Sequence, residues 1–217
     1  MDTEAFLKNV PSIKSKFIEL SKKNGALLFG EFRLNSGLMS NTFFNSGILA
    51  DAESFDLMTD LLVAKLIEEK VEFDAFFGCP YKAIPIVPVL CLKYYKLTGK
   101  KVHFGYHRKE VKDHGEGKLL VGSPGAFEEN SRLVVVDDIC TTGKAVAGSV
   151  AVAETTKAKV VCILFLVNRE PNYGGEFPMR TCAHKTSDFV KRLARPDIRV
   201  LEVMKLQELA GTSVTCW

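Results

Sequence analysis

Apolar positions along this chain recur in two rhythms. Over residues 11–23, Ile13, Phe17 and Leu20 fall at helical spacing and Asn24-Gly25 follows, which predicts a helix beginning at Pro11 and closed by a glycine turn. The aromatic-rich stretch ALLFGEFRLNSGLMSNTFFNSG (26–47) is punctuated by Gly30, Gly37 and Gly47 and predicts two short strands joined near Asn35-Ser36-Gly37. A longer helix is expected over 52–69, with Phe55, Met58, Leu62 and Leu66 on one face.

Beyond that helix the rhythm changes to continuous apolar runs. FDAFFG (73–78), VHFGYHR (102–108), RLVVVD (132–137) and KVVCILFLV (159–167) predict strands, with helices between them over 84–97 and 145–156. Pro85 and Pro88 are expected in the first turn of the former helix, where a missing N–H costs nothing. Apolar strands alternating with helices imply an α/β fold, a mostly parallel central sheet flanked by helices on both faces. IRVLEVM (198–204) and residues 206–210 add a strand and a short helix, and no repeat, linker or low-complexity tract interrupts the order.

Composition narrows the picture without sharpening it. With 217 residues, 47% hydrophobic and 25% charged, the chain is expected to form one unit over 1–217 with a sizeable core. A net charge of +3 is too small to argue for a nucleic-acid or membrane partner. The six cysteines form no CxxC pair and several lie in apolar runs, which reads as reduced core thiols. The polar N-terminus and the lack of an apolar run near ~18 residues point to a cytoplasmic protein.

In open parallel sheets, ligands bind at the carboxyl ends of the strands, and here each of those places carries unusual residues. After the strand at 132–137 comes DDICTTGKA, where a polar turn and a helix start offer backbone N–H groups and a positive dipole end to an anion. It is not a Walker loop, because Asp138 stands where the first glycine would be and Ala145 follows the lysine. Two carboxylates beside an anion cradle make sense for a bifunctional ligand: Asp137 and Asp138 accept from sugar hydroxyls, while Thr141, Thr142, Gly143 and Lys144 hold a phosphate. A capped helix alone would explain one acid and one threonine, not the whole set. After residue 78, CPYKAIP puts Tyr81 and Lys82 at a second helix start. YHRKEVKDHGEGKLLVG (106–122) mixes Arg108, Lys109, Lys112, His114 and Lys118 with acids and glycines; it is either a solvated loop or a cationic lid for a polyanion. A zinc reading of its histidines has poor spacing. At the last strand end, Arg169 is either a surface partner of Glu170 or a bidentate grip for a carboxylate.

RLVVVDDICTTG resembles the 5-phosphoribosyl-1-pyrophosphate (PRPP) signature of type I phosphoribosyltransferases, and Thr141 matches its orotate-specific members. RKEVKDHGEG is similar to the catalytic loop of orotate phosphoribosyltransferases, R-K-E-x-K-D-H-G-E-G, and is the more specific match. CPYKAIP resembles the family's pyrophosphate loop, with Cys79-Pro80 in place of Pro-Ala and Ala83 in place of glycine. GEFRLNSGLMSNTFFNSG resembles its N-terminal hood, except that Asn35 stands where many members carry lysine. The resemblance covers about residues 17–170 and does not extend into the remainder.

It implies a type I phosphoribosyltransferase fold with a hood at about 26–50, a core at about 52–170 and C-terminal strand and helix elements at about 171–217. The implied reaction transfers the 5-phosphoribosyl group of PRPP to N1 of orotate, giving orotidine 5'-monophosphate and pyrophosphate. The implied catalytic residues are Lys82, Arg108, Lys109, Lys112, His114, Asp137 and Asp138. Tyr81, Lys82, Asp137, Asp138, Thr141, Thr142, Gly143, Lys144 and Ala145 would hold PRPP, and Phe43, Phe44, Thr141 and Arg169 orotate. Mg²⁺ is expected to arrive with PRPP rather than in a protein cage, and the partner is expected to be a second copy, in a homodimer with lids shared across the interface. A length of 217 residues leaves no room for a fused decarboxylase domain. A salvage enzyme for another base, favoured by Asn35, and a catalytically silent PRPP sensor are the competing readings.

Overall fold

The structure, a computed structural model, describes residues 2–33, 39–110, 119–141, 143–169, 195 and 197–211. Helix α1 spans Thr3–Lys23, starting two turns earlier than the apolar spacing predicts. Asp2 accounts for this: its carboxylate accepts from the Glu4 N–H at 2.9 Å, and Phe6 extends the buried face formed by Ile13 and Phe17. Pro11 therefore lies inside the helix, on its exposed side. Strands β1 (Leu27–Arg33) and β2 (Met39–Phe44) pair antiparallel as an N-terminal hood, with a bulge between Phe29 and Phe32. The turn at Asn35-Ser36-Gly37 falls outside the described residues.

Helix α2 (Ala52–Glu68) begins at Asp51, which caps the Ser54 N–H at 2.9 Å. The sheet then takes shape from β3 (Ala75–Gly78), β4 (His103–His107), β5 (Leu120–Gly122), β6 (Arg132–Cys140), β7 (Lys159–Asn168) and β8 (Arg199–Lys205). Among the described residues the order is β5-β4-β3-β6-β7-β8, parallel throughout except for β5, which runs antiparallel to β4. Residues 120–122, read from sequence as part of a loop, are thus a sheet edge. Helices α3 (Ala83–Thr98) and α4 (Lys144–Ala153) follow β3 and β6 and lead to strands on opposite sides. Right-handed crossovers then place them on opposite faces of the sheet. Helix α5 (Leu206–Ala210) ends the described chain. Phe76, Phe77, Leu133 to Val136 and Ile163 to Val167 are essentially solvent-free, as a sheet covered on both faces requires.

Two boundaries differ from the sequence reading in ways that matter. Pro88 falls in the second turn of α3, not the first, so the Ile84 carbonyl lacks its usual helical donor. Strand β6 does not stop at Asp137 but continues to Cys140, because β7 supplies partners for Asp137, Ile139 and Cys140. Asp138, like Asp137, is therefore a strand residue and not the first residue of a turn. Helix α4 ends at Ala153, where the Thr155 and Thr156 hydroxyls bond back to the Val152 and Ala153 carbonyls.

Candidate functional site

Strand order reverses between β3 and β6: the chain moves outward from β3 to β4 on one side and from β6 to β7 on the other. The carboxyl ends of these two strands flank a topological switch point, where such sheets open a crevice. Lys82, one helical step before α3, leans across it and places its ammonium 3.3 Å from Asp138 Oδ2 of β6. The Lys82 side chain remains about half exposed, at 48%, so its charge stays reachable from solvent.

The carboxylates themselves are withdrawn. Asp137 and Asp138 are both buried, and the Asp138 N–H donates to Asp137 Oδ1 at 2.9 Å. Burial, together with the Asp138 charge beside it, pushes the Asp137 carboxyl up to about 8. Asp138 instead meets donors: the Ser46 hydroxyl and the Lys82 ammonium share its Oδ2, and Lys82 Nζ also donates to Ser46 Oγ at 3.0 Å. Ser46 lies in a short 3-10 turn, Ser46–Ile48, directly after the hood. Its hydroxyl is buried where the hood, the segment after β3 and β6 meet.

Beyond β6, Gly143 adopts φ +68° as it turns the chain into α4. That left-handed value suits glycine, and the first-turn N–H groups of α4, like those of any helix, have no intrahelical partners. Thr141 is half-buried beside it, and Lys144 and Ala145 are exposed on the first turn. Thr142 lies outside the described residues.

Beyond β7, Arg169 turns back under the hood. Its Nη2 donates to the Phe44 carbonyl at 3.2 Å, and its guanidinium carbon lies 5.3 Å from the Phe43 ring centre. Arg169 is 7% exposed, so it is not the surface arginine considered from sequence, and Glu170 lies outside the described residues. The Phe43 ring, half-buried, also meets Phe32 at 5.6 Å. Phe44 needs correction as a ring contact: strand alternation turns it the other way, into the core at 1% exposure. Only its carbonyl faces the site.

Beyond β4, Lys109 sets its ammonium 4.6 Å from the Tyr81 ring centre, and both side chains are exposed. Arg108 is half-buried and anchored through its N–H to the Leu119 carbonyl at 2.9 Å. Lys112 and His114 lie outside the described residues. Just before this segment, His107 is buried, stacked on Phe77 at 5.7 Å and bonded through Nε2 to Ser149 Oγ of α4 at 2.9 Å. Its Nδ1 faces the Arg108 carbonyl at 2.9 Å, which requires a proton on Nδ1; burial lowers the ring's pKa below the ordinary value. Cys79, at the start of the β3 turn, is fully buried, and burial with the neighbouring Asp137 drives its thiol pKa well up, so it is no nucleophile.

The structure thus brings Tyr81, Lys82, Lys109, Asp137, Asp138, Thr141, Gly143, Phe43 and Arg169 to one edge of the sheet and its hood. Sequence reasoning missed Ser46, whose signal was a small polar residue trapped between an apolar strand and Gly47. It also missed Ser149, which nothing in its helical context distinguishes.

No profile of a known protein family matches the chain. Comparison with individual proteins is informative. Orotate phosphoribosyltransferase 2 of Saccharomyces cerevisiae is 30% identical over 202 residues, 92% of this chain and 87% of that protein. The orotate phosphoribosyltransferase of Acinetobacter baumannii is 38% identical over 161 residues, 74% of this chain and 72% of that protein. Among solved structures, the orotate phosphoribosyltransferase of Francisella tularensis superposes with a TM-score of 0.68 at 25% identity, covering 90% of this chain and 88% of that one. With a type I phosphoribosyltransferase fold, and with such identity over most of its length, the chain belongs to the orotate phosphoribosyltransferase family.

Proposed function

We propose that the protein transfers the 5-phosphoribosyl group of PRPP to N1 of orotate, releasing pyrophosphate, in pyrimidine biosynthesis. The observation that carries this reading, beside family membership, is the pairing across the switch point of an accessible ammonium with withdrawn carboxylates. A polyanionic sugar needs both. Diphosphate leaves C1 of the ribose as the ring nitrogen arrives from the opposite face, and positive charge develops on the sugar. Catalysis is then chiefly positioning and electrostatics. Lys82, Arg108 and Lys109, with Lys112 and His114, neutralise the departing diphosphate. Asp137 and Asp138 accept from the ribose hydroxyls. The N-terminus of α4, with Thr141, Thr142, Gly143, Lys144 and Ala145, holds the 5-phosphate, and Tyr81 borders the diphosphate. Arg169 takes the orotate carboxylate, Phe43 lies against the pyrimidine, and the Phe44 carbonyl orients Arg169.

Among the described residues, no three His, Cys, Asp or Glu side chains converge to hold a metal. Magnesium would enter as part of the Mg–PRPP substrate, where it would offset the charge of the diphosphate. The protein works as one unit over residues 1–217, as a homodimer and in the cytoplasm. Among the described residues no helix is long and apolar enough to cross a membrane.

Pyrophosphate release from Mg–PRPP, with orotate, uracil, adenine, hypoxanthine and guanine offered separately, tests the assignment. Release with orotate alone is expected. Release only with another base would leave the PRPP site standing and overturn the roles of Phe43 and Arg169. PRPP binding without turnover on any base would make the protein a sensor.

A further inference from the structure

We infer that Ser46 is a positioning residue of the PRPP site, whose hydroxyl holds the Lys82 ammonium and the Asp138 carboxylate together as one preformed cluster. The inference rests on the proposed PRPP site and adds to it a residue from the hood turn. Ser46 Oγ donates to Asp138 Oδ2 and accepts from Lys82 Nζ at 3.0 Å, so a single hydroxyl satisfies both charged groups. Its own position is fixed from either side. The Asn45 N–H donates to the Ala26 carbonyl at 2.7 Å, Asn45 Oδ1 accepts from the Gly47 N–H at 3.1 Å, and Leu49, fully buried, donates from its N–H to the Ser46 carbonyl at 3.0 Å. Gly47 lies beside the lysine stem: a Cβ there would touch Lys82 Cε at an ordinary 3.8 Å and crowd Asn45 Oδ1 at 3.2 Å.

The chemistry of the lysine explains why such a holder matters. A half-exposed lysine has many rotamers, and ordering it only when diphosphate binds weakens binding by that entropy. Lys82 has no capping contact with its own helix, so Ser46 and Asp138 are what fix its head in place. Asp138, buried, in turn needs donors to replace the water it loses. Ser46 serves both groups and transmits the placement of the hood to the sheet.

The test is a double-mutant cycle with Ser46→Ala, a substitution that removes one oxygen from a buried site and leaves the backbone anchors intact. In the wild-type background kcat/KM for PRPP should fall about 10-fold, with KM for orotate changing less than about 2-fold. In the Lys82→Met background the same substitution should lower kcat/KM by less than about 3-fold, because the group it positions is gone. Equal losses in the two backgrounds would assign Ser46 a merely structural role and overturn the inference. A second measurement does not depend on turnover: inorganic pyrophosphate, which engages Lys82 but has no ribose, should bind Ser46→Ala several-fold more weakly than wild type by calorimetry. Unchanged pyrophosphate affinity would also overturn it. A wild-type protein that binds pyrophosphate yet forms no product from orotate would refute the proposed reaction while leaving this comparison readable.

Discussion

Adjacent residues on one strand meet opposite surroundings at this site. Asp137 is enclosed by core and by its neighbour's charge, and its carboxyl is raised from 3.8 to about 8. Between those values the folded chain holds a proton that the unfolded chain releases. The group's contribution to stability is therefore complete below about pH 4 and is lost as pH rises through about 8. Melting temperatures across about pH 5 to 9 should decline for the wild type, and Asp137→Asn should flatten that decline; an equally steep decline in the variant would exclude Asp137 as its source. Phe43 and Phe44 offer the same contrast on β2. Phe44→Ala should cost about 3–5 kcal/mol of stability, because its ring fills the core. Phe43→Ala should instead raise KM for orotate with a smaller loss of stability, since its ring is only half-buried beneath Arg169. Thermal melts beside steady-state kinetics separate the two.

At the scale of elements, the antiparallel edge is where local chemistry is tightest. Strands β4 and β5 approach through Gly105 and Gly122, and a Cβ on Gly122 would lie 2.5 Å from Gly105 Cα and 2.6 Å from the Phe104 carbonyl oxygen. Gly122 also holds φ +149°, a region that side chains avoid. Gly122→Ala should therefore destabilise by on the order of 1–3 kcal/mol or more, and loosen the anchorage of Arg108 to Leu119 that borders the same edge. Gly148→Ala in α4, where nothing lies within 4 Å, should stabilise by roughly 0.5–1 kcal/mol through helix propensity. Chemical denaturation of both variants checks the pair, and a Gly122→Ala protein as stable as wild type would contradict the contact. Apart from β5, the elements were legible for a simple reason: strands buried on both faces carry unbroken apolar runs, and helices show a face. The start of α1 and the end of β6 were not, because Asp2 and the ladder from β7 decide them.

Across the whole molecule, the site is an assembly of distant segments. Arg169 ties the sheet edge to the Phe44 carbonyl, and Ser46 ties the hood turn to Asp138. A ligand that spans these segments should stabilise the fold as a unit. With Mg–PRPP at 100 times its Kd, linkage predicts about 2.7 kcal/mol of added stability. Ribose 5-phosphate at the same concentration should give a smaller increase, as it lacks the diphosphate that Lys82 is proposed to meet. Calorimetric melts with each ligand read the difference; identical shifts would mean that the Lys82 side of the crevice takes no part in binding.

The sequence by itself determined the α/β order, the strand ends that face the crevice, and the motifs from which the orotate family was recognised. Those features depend on local periodicity and on residues contiguous in the chain, such as Asp137, Asp138 and Thr141. Tertiary structure alone decided which neighbours differ in role. It turned Phe43 toward Arg169 and Phe44 into the core, withdrew Asp137 from water, and brought Ser46 to Asp138 from 92 residues away. Contacts over such separations arise from how strands are ordered and hoods are docked, and a linear pattern carries no trace of which small polar side chain will stand between a lysine and a carboxylate.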